Sequence, residues 1–333
     1  MGKFIFGLIL AAGAMWWALQ GQLISDVWER IVAADWWLLG LVGVIFTLQQ
    51  VLRSHRQMRI VRSTLPDHKF STSFYILCIS FFFINILPLR MGEIMRPVLL
   101  LDKEDMPMGS GLAVVFVERI IDLISAMVMA ILVLALADIP VLEGSAIADM
   151  RSRSIWLLPF LFAGLFLPIF ATNLFRNLIN QDWMPSKVLG LINPFLHQMD
   201  TLRTTGQLVW VLFETVIIWV ISTAMYGLAA VAFGIAGIGF LEGMGILAFT
   251  MIGMAAPSAP GFAGTYEASY VGGLVFFGST DAGANFATAL CFHWWIFIVQ
   301  SASAIIWMVV DGTSFRALWQ KLNAKHPTKS EET

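Results

Sequence analysis

The chain has 333 residues, of which 58% are hydrophobic and only 13% are charged, and its mean hydropathy is +0.79. A soluble domain carries about 25% charged residues, so this composition excludes a soluble enzyme, a disordered protein and a nucleic-acid-binding protein, and predicts an all-α, polytopic integral membrane protein. The net charge of −2 identifies no partner, and Cys78 and Cys291 lie in apolar runs that favour neither a disulfide framework nor a metal site.

Apolar runs separated by short charged segments predict the membrane crossings, each of which needs about 20 residues. Lys3 precedes the first run, as in a signal peptide, but apolar residues continue through Trp17 and favour a retained helix. The six runs predicted to cross completely are 4–19, 36–52, 110–137, 155–172, 207–233 and 284–310.

Two further segments are interrupted by proline and glycine and are predicted to turn back within the membrane. Basic residues at 53–69 place that loop in the cytoplasm, and acidic residues at 21–35 place theirs outside. Both termini are then cytoplasmic. With the loops on these sides, the segment 70–105 enters and leaves the membrane on its cytoplasmic side, and 241–278 does so on the outer side. Each is therefore predicted to be a re-entrant helical hairpin rather than two short spanning helices.

The two halves of the chain, about 1–137 and 155–310, therefore match with reversed topology. Inverted repeats with paired, Gly/Pro-broken segments indicate a transporter whose binding site lies near the bilayer midplane. Residues 1–315 are predicted to form one transmembrane domain and 316–333 a cytoplasmic tail. The cell inner (plasma) membrane is the predicted location.

Ionisable residues in these segments are the candidate substrate-binding residues, since a charge at mid-bilayer costs about 2.5–3.5 kcal/mol on insertion scales. Arginine binds phosphate in two places and cannot lose its charge, which favours a site for an anionic headgroup. The alternative is structural, with carboxylates that only neutralise arginines. The candidates are Arg90, Glu93, Arg96, Glu118, Arg119, Asp122 and Glu267. For Glu214 and His293, hydrogen bonding to a neighbouring helix is favoured over catalysis.

The predicted hairpin turns share residues that break helices or allow close approach of backbones. A helix that restarts near Thr265 would direct its positive N-terminal end at an anion, although a loop that only permits tight packing is the alternative. The turn residues are Pro88, Gly92, Pro257, Pro260, Gly261 and Gly264.

Several other segments are predicted to lie at the membrane surface. Residues 187–202 and 313–323 have apolar stripes typical of interfacial helices. Arg53, Arg56, Arg59 and Arg62 recur every three residues at the end of a helix. This cluster is interpreted as a topology signal, or as a site for anionic lipid headgroups.

Three motifs carry a family resemblance over roughly residues 1–315: the Pro88–Arg96 segment, Glu118-Arg119-Ile-Ile-Asp122, and the Pro257–Glu267 segment. Together they resemble the lysylphosphatidylglycerol synthase transmembrane (flippase-like) family. That family usually has two glycines after the second proline of the last motif, whereas this chain has Gly261-Phe262. The resemblance implies a domain that moves a polar-headed lipid between leaflets. Since about 20 residues follow the last helix, the family's large synthase domain, and with it synthase activity, is expected to be absent.

The favoured function is a non-enzymatic flippase or transporter for membrane lipids with a phosphate-bearing, anionic headgroup, without cofactor, metal or nucleic acid. No Gly-x-x-x-x-Gly-Lys-Ser/Thr nucleotide loop is present, so a gradient, consumption of the lipid or a proton on Glu93, Glu267 or Asp122 would drive it. The alternatives are a membrane enzyme acting on a lipid phosphate or polyprenyl carrier, and a small-solute transporter.

Overall fold

The computed structural model describes residues 2–20, 23–87, 92–137, 139, 156, 158–161, 163–164, 171–178, 184–255 and 259–323. Within these ranges the regular structure is entirely helical, as predicted. The helices treated below are α1 (Gly2–Leu19), α2 (Ile24–Ala33), α3 (Trp36–Arg62), α4 (Phe70–Ile86), α5 (Met95–Glu104), α6 (Met108–Leu136), α7 (Thr172–Leu178), α8 (Ser186–Thr204), α9 (Gln207–Ala232), α10 (Phe240–Ala255), α11 (Thr265–Phe276), α12 (Ala282–Val310) and α13 (Phe315–Asn323).

Four helices in the described part of the chain are long and apolar enough to cross a membrane: α3, α6, α9 and α12. They correspond to four of the six predicted crossings. The predicted crossing at 4–19 is α1, whose later part, Leu8–Leu19, is bent by 76° from α2. Half of the residues in the crossing predicted at 155–172 lie outside the described residues.

Helix α3 is longer than its apolar run predicted. The run ends at residue 52, but the helix continues to Arg62, and the loop that follows is only 63–69. The prediction of a loop over 53–69 was therefore wrong at its start. The last turns of α3 remain helical although they are basic, because Arg56 and Arg59 find carboxylate partners on neighbouring helices.

The helices of the two halves repeat in order and length. Helices α3 and α9 have 27 and 26 residues, α4 and α10 have 17 and 16, α5 and α11 have 10 and 12, and α6 and α12 have 29 each. Seven-residue loops, 63–69 and 233–239, join the first two helices of each half. The internal repeat predicted from the sequence thus has a counterpart in the fold.

The two halves run in opposite directions where they meet. The backbone N–H of Asp35, just before α3, donates to the carbonyl of Ala232 at the end of α9 (2.8 Å). Near the other end of α3, Arg59 Nη1 donates to Gln207 Oε1 at the start of α9 (3.4 Å). Helices α3 and α9 are therefore antiparallel, and the loops that lead into α4 and α10 lie at opposite ends of the bundle.

Each pair of short helices doubles back on itself. His68, before α4, is hydrogen-bonded through Nδ1 to Glu104 at the end of α5 (3.0 Å). In the other half, the rings of Phe249 in α10 and Phe276 in α11 lie 5.0 Å apart. We call α4–α5 the first hairpin and α10–α11 the second hairpin. Each hairpin also packs on the long helix that ends the other half, α4 on α12 and α10 on α6.

The outer surface of the helical bundle is apolar. Helix α9 exposes a stripe at helical spacing, formed by Val209, Phe213, Val216 and Val220, which is typical of a lipid-facing helix. The predicted amphipathic segments are helices α8 and α13. Gln198 of α8 binds the carbonyl of Ile60 at 2.7 Å, so α8 closes the end of α3.

Candidate functional site

A cavity of about 210 Å³ lies where the two hairpins meet the long helices. Its lining comes from α3, α4, α6, α9, α10, α11 and α12, so both halves of the chain contribute to it. One wall carries charged side chains, and the opposite wall carries aromatic residues and a histidine. The cavity is thus mostly apolar, with a few charged and polar side chains in its walls.

The charged wall consists of Arg53 from α3, Glu93 from the first hairpin, and Arg119 and Asp122 from α6. Arg119 lies 4.0 Å from Glu93 and 3.5 Å from Asp122. The second distance joins residues three apart on one helix face, as their spacing predicted. Arg53 lines the cavity without an ion pair or hydrogen bond to another described residue, and the carboxylates of Asp122 and Glu118 attract its charge.

A second layer of charges lies behind this wall. Arg56 Nη1 is 2.9 Å from Asp122 Oδ1 and 3.0 Å from Thr215 Oγ1, and its Nε is 3.8 Å from Glu118. Arg96 donates to the other oxygen of Glu118 and lies over the ring of Phe81 at 5.0 Å. These side chains are almost fully buried, so each charge depends on its partners for compensation.

The two layers together hold an excess of positive charge. The described residues contribute four arginines (Arg53, Arg56, Arg96 and Arg119) and three carboxylates (Glu93, Glu118 and Asp122). Buried nitrogens of Arg96 (Nε, Nη2) and Gln50 (Nε2) also have no hydrogen-bond partner among the described residues. An anion with several acceptor oxygens is the ligand that such an arrangement favours.

The opposite wall contains a carboxylate–histidine pair. Glu267, in the first turn of α11, is fully buried and accepts from the backbone N–H of Gly264 through Oε2 (2.7 Å). Its Oε1 is 2.8 Å from Nδ1 of His293 on α12. The His293 ring lines the cavity and stacks on Tyr266, with ring centroids 4.0 Å apart. The side chain of Glu267 therefore occupies the start of α11, where the sequence predicted that a ligand anion would bind.

The glycines of the hairpin turns lie against backbone. A β-carbon on Gly92 would lie 2.1 Å from the backbone nitrogen of Ile84, and one on Gly264 would lie 2.1 Å from the carbonyl oxygen of Ala11. Gly261 and Gly264 also have positive φ, +68° and +84°. Phe262, which lines the cavity, has φ +59°. This position therefore has a left-handed backbone with a bulky residue on it, a conformation that costs about 1–3 kcal/mol.

The structure brings most of the predicted site residues together. Glu93, Arg119 and Asp122 line the cavity, Arg96 and Glu118 lie behind its charged wall, and Glu267 lies behind His293. Pro260 begins a 3₁₀ turn that ends at Phe262. Arg90, Pro88 and Pro257 lie outside the described residues.

Sequence reasoning missed the contribution of α3 to the site. Arg53 lines the cavity and Arg56 is buried behind it, so these two do not lie at the membrane surface, as was predicted for the cluster. Arg59 instead binds Glu214 (2.6 Å), which also accepts from His55 (2.7 Å). The spacing of these arginines on one helix was visible, but their acidic partners lie far along the chain. Glu214 and His293 do hydrogen-bond to neighbouring helices, as was favoured.

No cluster of three or more His, Cys, Asp or Glu residues that could hold a metal ion occurs within the described ranges. The site is therefore described by its arginines, its carboxylates and the His293–Glu267 pair. Among these groups, the arginines bind anions and the histidine pair can exchange a proton.

These features define a multi-pass helical membrane protein with a repeated fold and an arginine-bearing cavity between paired hairpins. The chain belongs to the family described as the lysylphosphatidylglycerol synthase TM region, whose model matches residues 4–304. Comparisons with curated proteins and with solved structures each found no match.

Proposed function

We propose that this protein is a lipid flippase or lipid transporter that moves a lipid with a phosphate-bearing headgroup between the leaflets of the plasma membrane. The observation that carries the proposal is the position of Arg53. It lines a cavity formed by both halves, as Arg119 does, without an ion pair or hydrogen bond to a described residue. Asp122 and Glu118 attract its charge without pairing with it. A charge in the membrane interior is costly, and a lipid phosphate would complete the compensation.

In the proposed topology, the first hairpin enters from the cytoplasm and the second from outside, as re-entrant elements between six crossings. The antiparallel arrangement of α3 and α9 supports this, because it places the starts of α4 and α10 at opposite ends of the bundle. The basic end of α3 assigns the first hairpin to the cytoplasmic side. Both termini would then be cytoplasmic.

In the proposed mechanism, Arg53 and Arg119 bind the phosphate oxygens while the acyl chains remain in the surrounding lipid. Glu93 and Asp122 hold Arg119 in place, and Asp122 also orients Arg56. The carboxylates are positioning residues rather than ligands of the headgroup. Because the cavity is lined by both hairpins, opposite movements of the hairpins would expose the same arginines to one leaflet and then the other.

The proposal assigns no chemical reaction to the protein, and its partners are anionic or lipid-linked membrane lipids. The experiment is reconstitution into vesicles that carry a trace of fluorescent phosphatidylglycerol or fluorescent phosphatidylcholine. Transbilayer movement is then followed by chemical quenching of the outer leaflet. We expect the wild-type protein to accelerate movement of the anionic lipid, and Arg53→Ala to reduce this rate about tenfold or more, since a charge-assisted contact contributes about 1.5–3 kcal/mol.

Arg30→Ala is the matched control, because Arg30 forms an exposed ion pair with Asp281 outside the cavity (2.7 Å). Its rate should equal that of the wild type. Vesicles in which neither lipid moves faster than in protein-free vesicles would refute the flippase proposal. Equal loss of activity in Arg53→Ala and Arg30→Ala would refute the role assigned to the cavity.

A further inference from the structure

We infer that His293 is a proton-binding site linked to headgroup binding, so that an anionic headgroup and one proton occupy the cavity together. The inference rests on the proposed function, since it concerns the same cavity. It begins from the geometry of the second hairpin, where Glu267 is buried without an arginine or lysine partner among the described residues and meets His293 instead.

The hydrogen bonds fix which nitrogen of His293 takes the proton. Glu267 Oε1 lies 2.8 Å from Nδ1 of His293, while Oε2 accepts from the Gly264 N–H. With Glu267 ionised, its carboxylate only accepts hydrogen bonds, so in that state Nδ1 carries the hydrogen of the neutral ring. The lone pair is then on Nε2, which no hydrogen bond joins to another described residue. A proton from cavity water would bind there and convert the pair into imidazolium and carboxylate.

The cavity geometry links this proton to the headgroup. His293 and Arg53 line the same cavity of about 210 Å³. A phosphate bound by the arginines adds a negative charge to a compartment of low polarity, where opposite charges attract more strongly than in water. The anion therefore favours the protonated imidazole, and by reciprocity the proton favours anion binding.

The other groups around His293 do not replace it in this role. Tyrosines lie on its own side of the cavity, with Tyr266 stacked on its ring and hydrogen-bonded to Tyr226 (3.2 Å). The charges of α2 meet Asp281 at the far start of α12. The charged wall lines the same cavity, and α4 and α10 contribute no titratable side chain to it. The titratable or charged groups that line the cavity with His293 are Tyr226, Tyr266, Arg53, Glu93, Arg119 and Asp122. Tyr270 stacks on Tyr266, and Cys291 precedes His293 by two residues on α12.

The test is titration calorimetry of the full-length protein in detergent with dihexanoylphosphatidylglycerol, a soluble phosphodiester that does not itself titrate near neutral pH. Measurements at pH 6.0–8.0 in buffers of different ionisation enthalpy give the number of protons taken up. We expect net proton uptake by the wild type and a dissociation constant that falls at least about fivefold between pH 8.0 and 6.0.

His293→Gln and Glu267→Gln should bind the same probe with no proton uptake and with an affinity independent of pH. Two variants are used so that one remains informative if the other folds poorly, and size-exclusion profiles identify a poorly folded variant. His55→Gln is the matched control, because His55 forms a similar pair with Glu214 (2.7 Å) but does not line the cavity. It should retain proton uptake.

The outcomes separate this inference from the proposed function. Binding by the wild type without proton uptake, or uptake that persists in folded His293→Gln, would overturn the inference and leave the anion site intact. Absence of probe binding would refute the anion site itself. Proton-linked binding without lipid movement in vesicles would support the inference and contradict the flippase proposal.

Discussion

Arg56 on α3 reaches Asp122 on α6 with both terminal nitrogens, at 2.9 and 3.3 Å, and both side chains are buried. The two residues are 66 positions apart in the chain. Their pair joins α3 to α6, which are the first and the last of the four repeated helices in the first half. It therefore fixes the position of Asp122, which also contacts Arg119 in the cavity.

Breaking this pair should destabilise the protein strongly. Arg56→Ala leaves Asp122 without its bidentate partner, and removal of one partner of a buried pair costs about 3–5 kcal/mol. Thermal unfolding in detergent should show a large loss of stability for Arg56→Ala and for Asp122→Ala. The loss of stability in the double variant should be smaller than the sum of the two single losses. Additive losses would contradict a direct interaction. Arg30→Ala, at an exposed ion pair, should cost about 1 kcal/mol or less.

Arg119 should act through the geometry of its guanidinium. It is partly exposed to the cavity and is held by Glu93 and Asp122. Arg119→Ala should reduce movement of anionic lipid in vesicles about tenfold or more, and Arg119→Lys should recover little of it, because an ammonium lacks the bidentate fork. Full activity of the lysine variant would show that charge alone suffices and would remove the support for a phosphate clamp.

The hairpin glycines should not tolerate alanine. A β-carbon at Gly92 or Gly264 would meet backbone at 2.1 Å, and Gly264 also has φ +84°. We expect Gly92→Ala and Gly264→Ala to lower the melting temperature and the yield of folded protein. Gly40→Ala is the control, because no atom lies within 4 Å of its added β-carbon and alanine should stabilise helix α3 by about 1 kcal/mol. Equal melting temperatures and yields for the three variants would contradict the close approach of Gly92 and Gly264 to neighbouring backbone.

Phe262 gives a second test of backbone strain. Its φ of +59° is left-handed, and such a conformation costs a residue with a β-carbon about 1–2 kcal/mol relative to glycine. Phe262→Gly should therefore be more stable than Phe262→Ala by about that amount, although both lose the aromatic ring. The opposite order would mean that the backbone at this position relaxes to negative φ in the variants.

The opposed hairpins can be tested by labelling. In a background with Cys78 and Cys291 replaced by serine, Asp67→Cys and Ala236→Cys place thiols in the exposed parts of loops 63–69 and 233–239. A membrane-impermeant maleimide added to intact cells should modify Ala236→Cys and leave Asp67→Cys unmodified until the cells are opened. Modification of both from one side would refute the inverted topology.

Much of the fold could be predicted from the sequence because its signals are local. Apolar runs predicted α6, α9 and α12, and proline and glycine marked both hairpin turns close to Gly92 and Gly264. The full length of α3 was not predicted, because its last turns are basic and resemble a loop unless the carboxylates that compensate them are known.

The site was only partly predictable for the same reason. The spacing of Arg119 and Asp122 on one helix face indicated their ion pair. Nothing local connects Glu267 with His293, 26 positions away, or Arg56 with Asp122. These partners are brought together by the packing of helices within each half, and an isolated charge in an apolar run shows only that some partner must exist.

The nearly equal lengths of α3 and α9, and the equal lengths of α6 and α12, have an energetic consequence for the proposed transporter. Two halves built alike but pointing in opposite directions would exchange their conformations, and the second state would be nearly the first one turned over in the bilayer. Two such states would have similar internal energies, so a small bias from a lipid bound on one side would select between them.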